Sequence, residues 1–341
     1  MNKLAAAIIL ASIFISCSSV VYGAAMSNEE TTYKTNELSS KLDEVKKKKD
    51  KITLREEYAE MFFQNEAYAA AAVVYSALLE MKPSKKKKAE YYIKLGDMEA
   101  IQKSYNESLA YYENALSLYK NNSDIKRKIG DILLQSNLYG LAEERFKDII
   151  KSDKNSDYAK KKLGDIYYRQ KKYSKALEYY ESISPLHYDK EIIANFTDCY
   201  KSLNNYDKAV KLVNDFLGEH DDSDIYLLSG FLYAGIGDIA KAEERFISAL
   251  QLNETNFAAY IHLAAIYLNN NDIKKSEEML NKAGIINSYT AVVDMLHARI
   301  SYRKGRLYEA RRYAANAVLK AKTPFLKQQS QRMLDFFNEK K

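Results

Sequence analysis

From residue 52 onward the chain alternates apolar stretches with short polar or glycine breaks. The stretch "LGDIYYRQKKYSKALEYYESI", residues 163–183, pairs Gly164 with Ala176 and surrounds both with tyrosines. The breaks "SNLYG", "QKKYS", "LNNYD", "IGDIA" and "NNDIK" interrupt the apolar spacing for only a few positions. That is the length of a tight turn between two helices, so the pattern predicts helical hairpins.

The pattern recurs in register. Small residues twelve apart are Ala59/Ala71, Gly96/Ser108, Gly130/Ala142, Gly164/Ala176, Thr197/Ala209, Gly230/Ala242, Ala264/Ser276 and Ala298/Ala310. Successive pairs are separated by 37, 34, 34, 33, 33, 34 and 34 residues, the first step being lengthened by the run Lys85 to Lys88. A large residue follows the first small one by nine positions, from Tyr68 to Leu307, and another follows the second by four: Tyr75, Tyr112, Phe146, Tyr180, Val213, Phe246 and Leu280, with Ala314 as the exception. Helices approach closely only where a side chain is nearly absent, and rings then fill the flanking space. A fixed period of this length is the mark of a repeat architecture in which each unit buries its apolar face on its neighbour.

"KLGDIYYRQKKYSKALEYYESI" resembles the tetratricopeptide repeat at nearly every signature position except the family's tryptophan, which this chain lacks altogether. The resemblance covers residues 52–324 as eight repeats. It implies an all-α, right-handed α-solenoid of stacked helix-turn-helix units, with residues 325–341 as a capping helix. Leu326, Met333 and Phe337 share one face of that cap. Thr197 in the fifth copy and Ala314 in the last depart from the pattern.

Such a solenoid binds polypeptides on the concave face built from the first helix of each pair. Family geometry aims the second, fifth, ninth, twelfth and thirteenth positions of each copy at that face. The ninth gives Asp97, Asp131, Asp165 and Asp198, with Lys94, Arg127, Lys128, Lys161 and Lys162 beside them. A groove of mixed charge follows, able to bond an extended peptide backbone, unless each aspartate is a solvated residue paired with a lysine one turn away. In later copies the corresponding residues are Leu227, Phe231, Ala234, Ile261, Ala265 and Leu268, either a seat for apolar side chains or a set buried by tight curvature. The family's clamp on a C-terminal carboxylate is not expected, because aspartate stands where that mode uses asparagine.

Composition narrows the function classes further. With 47% hydrophobic and 29% charged residues the chain folds, and only 3 prolines and 11 glycines in 341 residues favour long helices. The net charge of +6 is a small excess of 52 lysines and arginines over 46 acids, not a nucleic-acid footprint. His187, His220, His262 and His297 fall in different repeats, and no phosphate loop or paired catalytic carboxylates appear, so neither an enzyme nor a cofactor is expected. "GEHDDSD", residues 218–224, reads as a loop ending in a helix cap.

The N-terminus reads as an address. "MNKLAAAIILASIFISC" carries a lysine and then an apolar run from Leu4 to Ile15, the pattern of a signal peptide over residues 1–25. Cleavage after Gly23 or Ala25 fits, and so does lipidation at Cys17, where "FISC" resembles a loose lipobox. Either route exports the protein to the periplasm or cell envelope, with membrane contact through a lipid anchor in the second case. Residues 26–51 form a polar, lysine-rich linker. The remaining cysteine, Cys199, lies in a helical pattern and suits a small buried filler. The expected function is a non-enzymatic scaffold of the bacterial envelope holding protein or peptide partners. The rival is a lipid-anchored structural subunit working through its convex surface or edges, and self-association stays open.

Overall fold

A computed structural model describes residues 52–340; the leader, Cys17 and the lysine-rich linker lie outside the described residues. The described residues form seventeen α-helices and one short 3-10 turn, with no strand among them. They divide into two compact units, with the division between Ile166 and Tyr167. The first unit holds α1 (Ile52–Gln64), α2 (Tyr68–Glu80), α3 (Lys85–Ile101), α4 (Tyr105–Leu118), α5 (Ser123–Gln135), α6 (Tyr139–Ser152) and most of α7 (Asp157–Arg169). The second holds the end of α7, then α8 (Tyr173–Tyr180), α9 (Lys190–Ser202), α10 (Tyr206–Leu217), α11 (Ser223–Gly235), α12 (Ile239–Leu252), α13 (Phe257–Asn269), α14 (Ile273–Ile286), α15 (Ala291–Arg303), α16 (Leu307–Lys320) and α17 (Pro324–Glu339). Consecutive helices pack on one another from α1 to α6 in the first unit and from α8 to α17 in the second.

One local device makes every hairpin turn. Glu66, Lys103, Asn137, Lys171, Asn204, Gly237, Asn271 and Gly305 all have positive φ, between 57° and 86°. Each follows the first small residue of its copy by seven positions. The next amide reaches back five residues, as in Ala67 N to Phe62 O at 2.9 Å, Ser104 N to Glu99 O at 2.9 Å and Asp272 N to Tyr267 O at 2.8 Å. This Schellman closure satisfies carbonyls that the helix end would otherwise leave bare. Two residues later the second helix begins, in every copy at the large residue nine after the first small one: Tyr68, Tyr105, Tyr139, Tyr173, Tyr206, Ile239, Ile273 and Leu307.

The small residues are the hairpin's contact points. A Cβ added at Gly96 would lie 2.6 Å from the Tyr112 ring, and one at Gly130 would lie 2.7 Å from the Phe146 ring. The first helix thus offers bare backbone to a ring on the second. Where the second small residue is serine its hydroxyl is also used, Ser108 Oγ donating to Gly96 O at 2.8 Å and Ser276 Oγ to Ala264 O at 2.7 Å. Ala314 departs from the pattern of large residues because α17 supplies the missing bulk: Phe337, 2% exposed, packs in one cluster with Ala298, Ala310 and Ala314.

Pro185 shortens one pair. Its ring cannot continue a helix and restricts Ser184 before it, so α8 stops at Tyr180 and a 3-10 turn, Pro185–His187, leads on. Thr197 and Cys199 are both fully buried, the latter in the core of the second unit. Asp222, from the "GEHDDSD" loop, caps α11 by accepting from Asp224 N at 2.8 Å and Ile225 N at 3.1 Å.

Candidate functional site

The first helices of the pairs carry the residues singled out as partner contacts, and in the first unit those residues are largely engaged with one another. Tyr112 packs its ring at Gly96 and donates its hydroxyl to Asp97, the next residue, at 2.6 Å. Ala59 and Glu60 repeat the arrangement, Tyr75 donating to Glu60 at 3.1 Å. A small residue followed by an acid therefore receives both ends of one tyrosine. Gly130 faces Phe146, which has no hydroxyl, and the donor to Asp131 is instead Tyr158 of α7. Burial, and then the carboxylate partner, push the Tyr112 and Tyr158 hydroxyls well above the ordinary tyrosine range.

The same acids also bind the next repeat. Lys94 on α3 meets Glu60 on α1 at 2.8 Å, Lys128 on α5 meets Asp97 on α3 at 2.5 Å, and Lys162 on α7 meets Asp131 on α5 at 3.4 Å. Each lysine sits three residues before the ninth position of its own copy. Its partner is the acid of the preceding copy rather than one a turn away in the same helix. Lys94 holds the Glu60 carboxyl below the usual carboxylate range. Each lysine also lies against a ring, Lys128 over Tyr112 at 5.7 Å and Lys162 over Tyr158 at 5.4 Å. Arg127 bonds Asp124 at 3.3 Å and lies over Tyr158, while Lys161 and the buried Asp165 have partners of their own.

In the second unit Asp198 accepts from Tyr168 at 3.0 Å and pairs with Lys201, one turn on in α9, at 3.5 Å. The apolar set expected beyond it divides. Ile261, 8% exposed, and Leu268, 1% exposed, belong to the core beneath α15, with Val293, Leu296 and Ile300. They are packing residues and not partner contacts. Leu227, Phe231, Ala234 and Ala265 stay partly exposed. Phe231 stands edge-on to Phe246 at 5.5 Å and to His262 at 4.7 Å. His297 likewise stacks on Tyr313 at 4.9 Å and His220 on Phe216 at 4.5 Å. Among the described residues no group of three or more His, Cys, Asp or Glu is placed to hold a metal.

Sequence reasoning stopped short of the last repeat. The register that yields the aspartates places Arg299 at the ninth position there, and Arg299 lines a cavity of about 370 Å³ between α15 and α17. Constant register was the signal that could have found it.

Two family models, both described as tetratricopeptide repeat, match residues 127–185 and 235–300. Those two segments are tetratricopeptide repeats, and the helix pairs of each unit pack as such repeats do. Solved structures similar to it include a tetratricopeptide repeat protein from Parabacteroides merdae, at 14% identity, 84% of this chain, 99% of that chain and a TM-score of 0.46. A chain of the APC/C hetero-tetramer Cut9–Hcn1 shares 14% identity over 92% of this chain and 60% of that chain, with a TM-score of 0.50. PilW, a type IV pilus biogenesis factor, shares 21% identity over 61% of this chain and 98% of that chain, also at 0.50. The likenesses to the Cut9–Hcn1 chain and to PilW show the fold. No curated protein matches the chain in sequence. Tetratricopeptide repeat proteins are generally non-enzymatic scaffolds for other proteins.

Proposed function

We propose that this protein is a non-enzymatic scaffold of the bacterial cell envelope that holds polypeptide partners along the face formed by the first helices of its repeats. The observation that carries the reading is the division of labour on that face. In the first unit the pairs Lys128–Asp97 and Lys162–Asp131 hold neighbouring repeats together, whereas in the second unit Leu227, Phe231, Ala234 and Ala265 leave apolar surface partly exposed. A rigid row of helices with partly exposed apolar side chains suits an extended or helical peptide laid across it. Export rests on the apolar run from Leu4 to Ile15, which any envelope role requires.

Photo-crosslinking tests the reading. A benzophenone amino acid placed at Leu227 in the full chain, expressed in its native host, should give discrete adducts with envelope proteins. The same probe at Leu319, an exposed position on the second helix of its pair, should not. Adducts only from Leu319, or none from either, refute the groove.

A second reading, a lipid-anchored structural subunit, draws on Cys17 in "FISC". Mass spectrometry of the mature N-terminus decides it: a diacylated cysteine supports the anchor, and a start near residue 24 or 26 removes it.

A further inference from the structure

The cavity between α15 and α17 differs in kind from the rest of the first-helix face. Its walls carry Arg299 and Arg303 from α15 and Arg332 from α17, with Met295, Met333 and Phe336 between them, and no acid. Where Glu60, Asp97 and Asp131 each meet a lysine of the next repeat, Arg299 meets a capping helix that contributes another arginine. A helix whose only role was to cover the last repeat would place an acid there, because arginines gathered without counter-charge repel one another.

The hydrogen bonds agree. Arg299 Nη2 donates to Asn269 Oδ1 at 2.8 Å and Arg303 Nη1 to Asn271 Oδ1 at 3.2 Å. Both acceptors are neutral amides, which orient the guanidinium groups without cancelling their charge and leave most of their five N–H donors unused. Among the described residues none of the three arginines has a carboxylate within ion-pair distance. Burial, and then the charge of Arg303 one turn away, hold the Arg299 guanidinium below its usual basicity, the direction an incoming anion would reverse. Lys340 adds a further cation, 4.7 Å from the Phe336 ring. The apolar half is open as well, since Phe336 is 43% exposed and edge-on to Tyr302 at 5.6 Å.

We infer that this cavity is a docking site for an acidic peptide segment of a partner, with carboxylates received by Arg299, Arg303 and Arg332 and an apolar side chain between them lying on Met295, Met333 and Phe336. The inference rests on the reading of the chain as a polypeptide scaffold, and names the chemistry of one partner segment. Guanidinium forks suit carboxylates in bidentate contacts. The arginines stand on two helices with thioethers and a ring between, which fits charges carried by separate residues of a peptide. A nucleic-acid or lipid surface calls for a wide basic stripe, and here the charge lines one half-apolar cavity.

The test uses the full chain and a fluorescein-labelled hexapeptide, glutamate-aspartate-leucine-glutamate-phenylalanine-aspartate, followed by fluorescence anisotropy. A matched peptide with glutamine and asparagine in place of the acids, an oligothymidylate and phosphatidylglycerol vesicles form the other arms. The acidic peptide should bind, more weakly as salt rises, and the amide peptide should bind at least about tenfold more weakly. Arg303→Gln and Arg332→Gln change exposed residues and should leave the helical circular dichroism intact. Each should weaken the acidic peptide about tenfold. Equal binding of the two peptides, an unchanged Kd in both variants, or tighter binding of the oligonucleotide or vesicles overturns the assignment. If Leu227 still crosslinks to partners after such a result, the scaffold reading stands and only the acidic site fails; loss of that crosslink in the unaltered chain sinks the scaffold instead.

Discussion

Replacing Gly130 with alanine adds one carbon where the hairpin α5/α6 has no room for it. The new Cβ would sit 2.7 Å from Phe146 Cζ and 2.8 Å from Cε1, about 1 Å inside ordinary carbon contact. The ring cannot swing clear, because Phe146 is fully buried and edge-on to Tyr158 at 6.2 Å. Overpacking of this kind costs about 1–3 kcal/mol. Alanine favours a helix interior over glycine by about 1 kcal/mol, which offsets part of that cost. The expected outcome is therefore a net loss of up to about 2 kcal/mol, opposite in sign to the change at an open helical glycine. One hairpin of the chain carries both changes, Ala264 with Leu280 sixteen later, whereas the α1/α2 hairpin pairs Ala59 with Tyr75. Phe146→Leu made together with Gly130→Ala should thus recover at least about 1 kcal/mol relative to the sum of the single changes. Native-state hydrogen exchange of the α5 and α6 amides reads the local free energy of this repeat, and urea unfolding followed at 222 nm reads the whole. A Gly130→Ala protein more stable than the parent, or strict additivity in the double variant, would refute the ring-on-glycine account of the repeat.

Three other outcomes follow from the same geometry. Lys103 closes the first turn of the α3/α4 hairpin at φ 63°, a conformation costing a side-chain-bearing residue about 1–2 kcal/mol, so Lys103→Gly should raise stability by about 0.5–1 kcal/mol once the freer unfolded chain is counted, read as a higher urea midpoint. Asp97→Ala removes the acceptor of the Tyr112 hydroxyl and should cost about 1–3 kcal/mol, whereas Asp97→Asn keeps an acceptor and loses only the exposed Lys128 pair, at most about 1 kcal/mol; equal losses in the two unfolding curves would contradict the tyrosine latch. Burial, and then the carboxylates of Asp198 and Glu243, push the Tyr168 and Tyr267 hydroxyls up to about 12, so the stability they contribute is whole below about pH 10 and falls as pH rises from there toward 12; stability by circular dichroism that stays flat over that range would count against it.

The hairpins were legible because their cause is local. A bare backbone position, a turn residue with positive φ and a second-helix start recur together, and each is set by a few neighbouring residues. The turn residues themselves were harder to see, since only Gly237 and Gly305 announce a left-handed conformation, while Glu66, Lys103 and Lys171 adopt it under the pull of the closing hydrogen bonds. The binding surface was legible in register but not in depth. Periodicity says which side of a helix a residue occupies, and it placed Leu227 and Leu268 alike. Only the packing of α15 over α13 separates them, leaving Leu227 half-exposed and Leu268 in the core. The aspartates carry the complementary lesson. Their position after a small residue suggested a ligand-facing row, yet a tyrosine ring entering the gap brings its hydroxyl to the adjacent carboxylate, an outcome written in two segments about fifteen residues apart.

The ninth positions also show how one repeat can serve two ends. In the first unit Glu60, Asp97 and Asp131 are acids held by a tyrosine and by a lysine of the following repeat, pairs that tie neighbouring helices in register while contributing little each to stability at such exposure. In the second unit the position is Asp198, paired with Lys201 of its own helix, then Phe231, packed against His262 of the next first helix, then Ala265 and finally Arg299, which no acid meets. A carboxylate already holding a lysine and a phenol has little left for a partner, because capture would have to break both contacts. An arginine anchored by an amide has its charge still to neutralise, so a partner's carboxylate adds a contact there without displacing one. Repeats that spend their polar groups on each other hold their neighbours in register, and the last repeat, which leaves its arginines unspent, is where recognition belongs.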